Sequence, residues 1–465
     1  LRHYNVVVIG SGPAGAAIAE RLYEAHPSVS IAIIEQGPFL LDRHFYDSGG
    51  TIQDRDKFLS DHLHCPWDGD LRDGGALLPA VGGRGIVGGS QLHRFYETDF
   101  SLWDNGEWRF TEADLLPYFT EAENRLLGPI RCVGTSQDYA FLHLARFHAR
   151  HPPSASTSVV QGGPNLGFPH RSSVERIRTL MTRDALSRTP RVSLIADTTV
   201  VRLLTSKVNP ARISRARCAS SSRPDAESFD IHGDTFIVAA SPVESARLVL
   251  NSELDFVKSN QSAIGHYLAE HIYCRGYLDV SKSPELNLGP INIFIPPLSA
   301  ALKDRFQIEI RSIRRPADRS QILRLTGSAA MDPNWDNRVE IAPGRVDRHG
   351  TPMASTILKA SSPDEERTKT MLDVLHEVAS SLGGKWSSRP LLLPRGASYH
   401  EAGTLRIALS ENESAADADS RLLGASNLFV GDGAAFPSIG VANPILTLTA
   451  MGYRLADRLV ELARA

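Results

Sequence analysis

The chain has 465 residues, 42% of them apolar and 22% charged, a make-up that excludes global disorder and suits two or three domains' worth of folded protein. Fifty Lys and Arg stand against 53 Asp and Glu, a net charge of −3, so no overall field favours nucleic acid or an acidic membrane. Four cysteines without a CxxC pair exclude a disulfide-stapled scaffold and fit a reducing compartment.

The chain enters an apolar strand at once, without a charged leader, and no apolar run reaches the about 18 residues of a membrane span. The expectation is a soluble cytoplasmic protein. Val6–Ile9 reads as a buried parallel strand, followed by a Gly-rich turn, an Ala-rich helix to Ala25 and a second strand from Val29 to Ile34. This is a βαβ unit. Its turn is Gly10-x-Gly12-Pro13-Ala14-Gly15: the first glycine makes the tight turn, the second lets a pyrophosphate approach the backbone, and the third lets helix and strand pack closely. The helix start offers unpaired N–H groups to phosphates. Glu35, with Gln36 beside it, ends the second strand at the spacing of a ribose-binding acid, so the unit is expected to bind a dinucleotide without a 2′-phosphate.

Residues 39–80 read as an extended connection. A second Gly-rich stretch, Gly82 to His93, carries Arg84, Gly88, Gly89 and Ser90 and suggests backbone pressed against a flat or phosphate-bearing ligand. Helices are expected over Thr111–Leu127 and Ser173–Leu186, with loop between 152 and 173. Strands follow at 192–195 and at Val200–Leu204. Thr235–Ala240 reads as a buried strand and Glu244–Leu250 as a helix.

From about 290 to 360 the apolar period becomes two. Phe306, Ile308 and Ile310 alternate with Gln307, Glu309 and Arg311, the pattern of an antiparallel sheet with one wet face. Seven basic residues crowd Lys303 to Arg324; such a run usually marks solvated strand faces and turns, the alternative being contact with an anionic substrate or partner. His62-x-His64-Cys65 and the His148/His151 pair lack a second half at zinc spacing, so no metal is expected. The nucleotide-binding pattern resumes at 427–431 and closes with Asn443-Pro444-Ile445 opening a last helix, where Asn443 reads as an N-cap.

The N-terminal fingerprint, the Gly82–His93 loop, and the closing pattern of His400-x-x-Gly403-Thr404 followed by a strand ending at Asp432-Gly433 together resemble the glucose–methanol–choline (GMC) family of flavin oxidoreductases. Ala442-Asn443-Pro444-Ile445-Leu446-Thr447 resembles its pyranose-oxidase branch, as do Ala239-Ala240 and the segment Ile264–His271. Ser241 stands where the family usually has Gly, Ile407-Ala408 where it has Met-Gly after the arginine, and Arg94 where Asn is common.

The resemblance implies an α/β protein with a discontinuous Rossmann-type FAD-binding domain (1–125, 185–272 and 395–465), a connecting or cap region (126–184), and an α+β substrate domain on an antiparallel sheet (273–394). It implies FAD as cofactor, contacted also by Val200, Ala240, Asp432, Gly433, Asn443, Pro444 and Ile445. A covalent bond from His93 to the flavin is the less favoured alternative. His400 is implied as the base and Asn443 as its partner in oxidising a hydroxyl of a sugar, polyol or glycosylated natural product to a carbonyl. Oxygen or another acceptor would take the electrons. The alternatives are a non-redox protein that keeps FAD as a scaffold and, further off, a nicotinamide dehydrogenase.

Overall fold

A computed structural model describes residues 3–40, 62–86, 92, 94–101, 108–126, 160–162, 172–259, 263–282, 291–314 and 321–464. The first sheet is built where the sequence is richest in β-branched residues. Strands β1 (His3–Ile9), β2 (Ile31–Ile34), β5 (Val192–Ile195), β8 (Phe229–Val238) and β16 (Leu428–Val430) run parallel. Strands β6 (Thr198–Thr205) and β7 (Ile213–Ser220) add an antiparallel hairpin at one side, giving the order β5-β2-β1-β8-β7-β6 with β16 on β8. Val7, Val8, Ile31, Ala32 and Ile33 are completely buried, as a strand covered on both faces demands.

Helix α1 (Pro13–Ala25) leaves the tip of β1 with Pro13 in its first turn and packs Ala17 and Ile18 into the core. Helices α2 (Glu112–Leu126) and α3 (Ser173–Ala185) lie within a residue or two of the sequence expectation. Helix α4 (Pro242–Asn251) follows β8, and the long α6 (Ile445–Leu462) ends the molecule against α1; between them lies α5 (Ser362–Ser381). Among the described residues no helix is long and apolar enough to cross a membrane.

The second sheet is antiparallel throughout: β15 (Lys385–Leu392), β9 (His271–Asp279), β12 (Gln321–Ala330), β11 (Phe306–Arg314), β10 (Ile291–Ile295) and β4 (Val160–Gly162). A small third sheet takes β13 (Arg338–Val346), β14 (Pro352–Ile357) and the two-residue β3 (Asp68–Gly69), so the 290–360 region divides between two sheets. Phe306, Ile308 and Ile310 turn to a core shared with Met371, Leu375 and Val378 of α5. The alternate residues differ from the sequence expectation: Gln307, Glu309 and Arg311 are at most 8% exposed, and Arg305 is 1% exposed. The supposedly wet face is closed over by the rest of the chain. It roofs a cavity.

Candidate active site

The cavity, about 730 Å³, runs from the carboxyl ends of β1 and β2 to the polar face of the second sheet. Its size falls within the ordinary range for a cofactor site. Gly10, Gly12, Pro13, Ala14, Glu35 and Gln36 line one end; Arg84, Val200 and Ala240 follow; His400, Asp432, Gly433, Asn443, Pro444 and Ile445 line it farther on. Residues near both chain ends therefore face one space. Gly88, Gly89, Ser90 and His93 lie outside the described residues, so the covalent alternative has no geometry to report. His148 and His151 also lie outside them. Among the described residues no group of three or more His, Cys, Asp or Glu is arranged to hold a metal ion.

The three fingerprint glycines differ in what a side chain would meet. A Cβ on Gly10, whose φ is +105°, would sit 2.2 Å from the Ala239 carbonyl oxygen; one on Gly15 would sit 2.1 Å from that of Gly10. These two close the turn and the helix–strand contact. A Cβ on Gly12 meets nothing within 4 Å. The space beside Gly12, at the N-terminus of α1, is thus left open by the protein itself, which fits a pyrophosphate brought against backbone N–H groups.

Glu35 is buried and already engaged. It accepts from the Ser11 hydroxyl (2.6 Å), the Ser11 N–H (3.1 Å) and the Gly37 N–H (3.0 Å), bracing the glycine turn at the cavity wall. Burial pushes its pKa up, against the lowering effect of those bonds. Asp432 similarly accepts from the Ser245 hydroxyl (2.7 Å) and from the N–H groups of Ser241 and Ala434 (both 2.8 Å), and burial raises its carboxyl to about 6. Ser241 holds φ +85°, a conformation that favours glycine. Its hydroxyl accepts from Arg84 (2.9 Å), and Arg84 forms a two-pronged pair with Glu401 at 2.8 and 2.5 Å.

The altered Arg406-Ile407-Ala408 stretch lies in the core, away from the cavity wall. The Arg406 guanidinium stacks on the Tyr267 ring, 3.2 Å from its centroid, and bonds Glu413 at 3.0 Å.

At the sheet end, His400 and Asn443 meet: Asn443 Nδ2 lies 3.3 Å from His400 Nε2. Asn443 does not cap α6, whose first-turn neighbour is Pro444 with no side-chain cap. Its Oδ1 instead accepts from Gln307 Nε2 at 3.2 Å. The other side of His400 holds a residue whose role the sequence did not suggest. His271 Nδ1 is 2.9 Å from His400 Nδ1, and His271 Nε2 is 2.5 Å from the Gly440 carbonyl oxygen.

These contacts select one set of tautomers. A carbonyl can only accept, so His271 Nε2 carries the proton and its Nδ1 accepts. His400 Nδ1 therefore donates, and its Nε2 presents a lone pair, to which the Asn443 amide donates. Burial holds His271 down to about pKa 4. Burial, then His271 and Arg84, hold His400 well below the ordinary histidine value. Both rings are neutral at pH 7, and His400 Nε2 can accept a proton. His271 lay inside the quoted Ile264–His271 segment, but its partner is 129 positions away.

Residues 333–452 match the family model for GMC oxidoreductase. This part of the chain is a GMC oxidoreductase C-terminal domain. Its relatives include the 6‴-hydroxyparomomycin C oxidase of Streptomyces lividus, 25% identical over 97% of this chain and 90% of that one. The pyranose 2-oxidase of Tricholoma matsutake is 24% identical over 59% of this chain and 54% of its own. Among solved structures, the formate oxidase of Aspergillus oryzae shares the fold with a TM-score of 0.72 at 13% identity, covering 99% of both chains. GMC oxidoreductases are FAD-binding proteins, and the space left open at Gly12 fits the pyrophosphate of such a cofactor.

Proposed function

We propose that this GMC oxidoreductase binds FAD in the cavity and oxidises a hydroxyl of a sugar, polyol or glycosylated natural product to a carbonyl. His400 Nε2 takes the hydroxyl proton as the carbon loses hydride, so that one C=O bond forms and two electrons leave the substrate. FAD, when bound, would supply the hydride acceptor, and oxygen or another acceptor would take up the two electrons. Gly10, Gly12, Pro13, Ala14 and Gly15 form the phosphate turn; Asn443 orients His400 and meets the substrate oxygen. The substrate class rests on relatives whose names place them on sugars and aminoglycosides. The observation that carries the mechanism is the bond series Gly440–His271–His400–Asn443, which leaves the base lone pair on one atom at the cavity wall.

The test is anaerobic reduction of the purified yellow protein by a panel of sugars and polyols, followed as loss of the flavin's visible absorbance. At least one member should bleach the wild type. His400→Ala should bleach about two to four orders of magnitude more slowly while retaining FAD. A variant bleached at the wild-type rate would remove His400 from its role. A wild type bleached by no alcohol would favour the scaffold reading, and a colourless protein that binds NADH the nicotinamide one. Denaturation in acid should free all of the FAD if His93 forms no covalent bond.

A further inference from the structure

The alternation along the second sheet sends one set of side chains into the core and the other into the cavity. Beyond Tyr273, whose hydroxyl is 3.5 Å from His400 Nδ1, the cavity set is strongly basic. Arg275 follows two positions along β9, on the same face and about 7 Å further on. Across the ladder, Thr326 is the register partner of both Arg275 and Glu309, and Arg324 is that of Arg311. Arg275, Glu309, Arg311, Arg324 and Thr326 all line the cavity.

Among the described residues on this face of the sheet, the three guanidiniums share one carboxylate. Glu309 serves two of them, accepting from Arg311 at 2.8 Å and from Arg324 at 3.1 Å. Among the described residues no carboxylate pairs with Arg275. The donors are also incompletely used: Arg275 Nε, Arg324 Nε and the Thr326 hydroxyl are buried without a hydrogen-bond partner. Such orphaned groups are costly to bury unless a ligand or water meets them. Guanidinium forks match the planar or tetrahedral oxygens of carboxylate and phosphate, whereas an ammonium-bearing sugar would meet like charge.

We infer that the substrate is a polyol bearing an oxyanion, a carboxylate or a phosphate monoester, held by Arg275 and Arg324 while a hydroxyl several bonds away lies at His400. This rests on the oxidation reading above and narrows its substrate class to sugar acids or sugar phosphates over neutral and amino sugars.

The experiment compares glucose, glucosamine, glucuronate and glucose 6-phosphate as anaerobic reductants of the holoenzyme. In parallel, the flavin spectrum is titrated with tricarballylate and with inorganic phosphate, neither of which can be oxidised at a secondary alcohol. Glucuronate or glucose 6-phosphate should exceed glucose in kcat/KM by at least about tenfold, with glucosamine lowest. The two anionic sugars show whether carboxylate or phosphate is preferred. Arg275→Gln and Arg324→Gln should each cut the anionic-to-neutral ratio about tenfold, and raised ionic strength should cut it in the wild type. If Arg324→Gln, which loses its bond to Glu309, fails to fold, Arg275→Gln carries the test alone. Glucose or glucosamine reacting as well as the anionic sugars, or a ratio unmoved in the variants, would overturn the inference while leaving the oxidation reading intact. If no sugar reduces the flavin, the oxidation reading fails and the titration decides. A spectral shift that Arg275→Gln abolishes supports the anion site; no shift with either anion refutes it.

Discussion

Single side chains decide which atom can do the chemistry. His271 touches His400, the proposed base, rather than the cavity's contents; on that proposal it is a positioning residue, and its effect should show in a pH profile. Because His400 is held well below the ordinary histidine value, its base form persists as pH falls, and the acid limb of flavin reduction should lie below about 6.5. His271→Ala removes the acceptor for His400 Nδ1–H and admits water. The limb should then move up toward the ordinary value, with reduction at neutral pH slowed about tenfold. An unmoved limb would mean that His271 only fills space. The glycines make a second contrast. Gly12→Ala meets nothing within 4 Å and should fold with normal circular dichroism yet purify with depleted FAD, whereas Gly10→Ala, forced 2.2 Å from the Ala239 oxygen, should not fold at all. Gly12→Ala purifying fully yellow would refute the phosphate site. His400, Asn443 and these glycines were legible because their motifs are local. His271 and Gln307 were not, because their roles arise only where distant strands meet.

At the scale of elements, the join between β9 and the loop carrying His400 matters most. Glu270, just before β9, accepts from the N–H groups of Gly396 (2.5 Å) and Ser398 (3.1 Å) and from the Ser398 hydroxyl (2.5 Å). Burial, then Glu401, raises its carboxyl to about 7. A folded-state value above the unfolded one contributes stability that is complete below pH 4.5 and is lost as pH rises through about 7. Glu270→Gln cannot titrate and presents an amide where only acceptors fit. The wild type should therefore be the more stable of the two at pH 5, and its lead in Tm should shrink by pH 8; a constant lead would refute this account. The βαβ unit was readable residue by residue, since a run of buried β-branched residues has few other meanings. The alternation at 306–311 gave the strand correctly but not its surroundings: period two says that the faces differ, and only the tertiary fold says that Gln307 is buried against Asn443 and that Glu309 and Arg311 roof a cavity.

Across the whole molecule, the cavity is the place where segments from both ends of the chain are held in register. Arg84 and Glu401 pair across 317 positions, and Trp67 donates to Glu244 at 2.8 Å across 177. The first sheet supplies the Gly10–Gly15 turn, and the second supplies Tyr273 and the polar side chains beside the loop carrying His400, so a molecule filling the cavity contacts both. Binding to the folded state alone adds RT ln(1 + [L]/Kd), about 2.7 kcal/mol at a hundredfold excess over Kd. With an unfolding entropy of about 2 cal/mol/K per residue, a chain of this length should gain roughly 3 °C in Tm for each hundredfold excess. Stripping FAD should lower the melting temperature, and titrating it back should raise one shared transition. That transition should be seen equally by Trp386 on β15 of the second sheet and by probes placed on the first. A second transition that FAD leaves unmoved would show the antiparallel sheet to be an independent unit, and would cut the link between the phosphate turn and the His400 end on which the proposed chemistry depends.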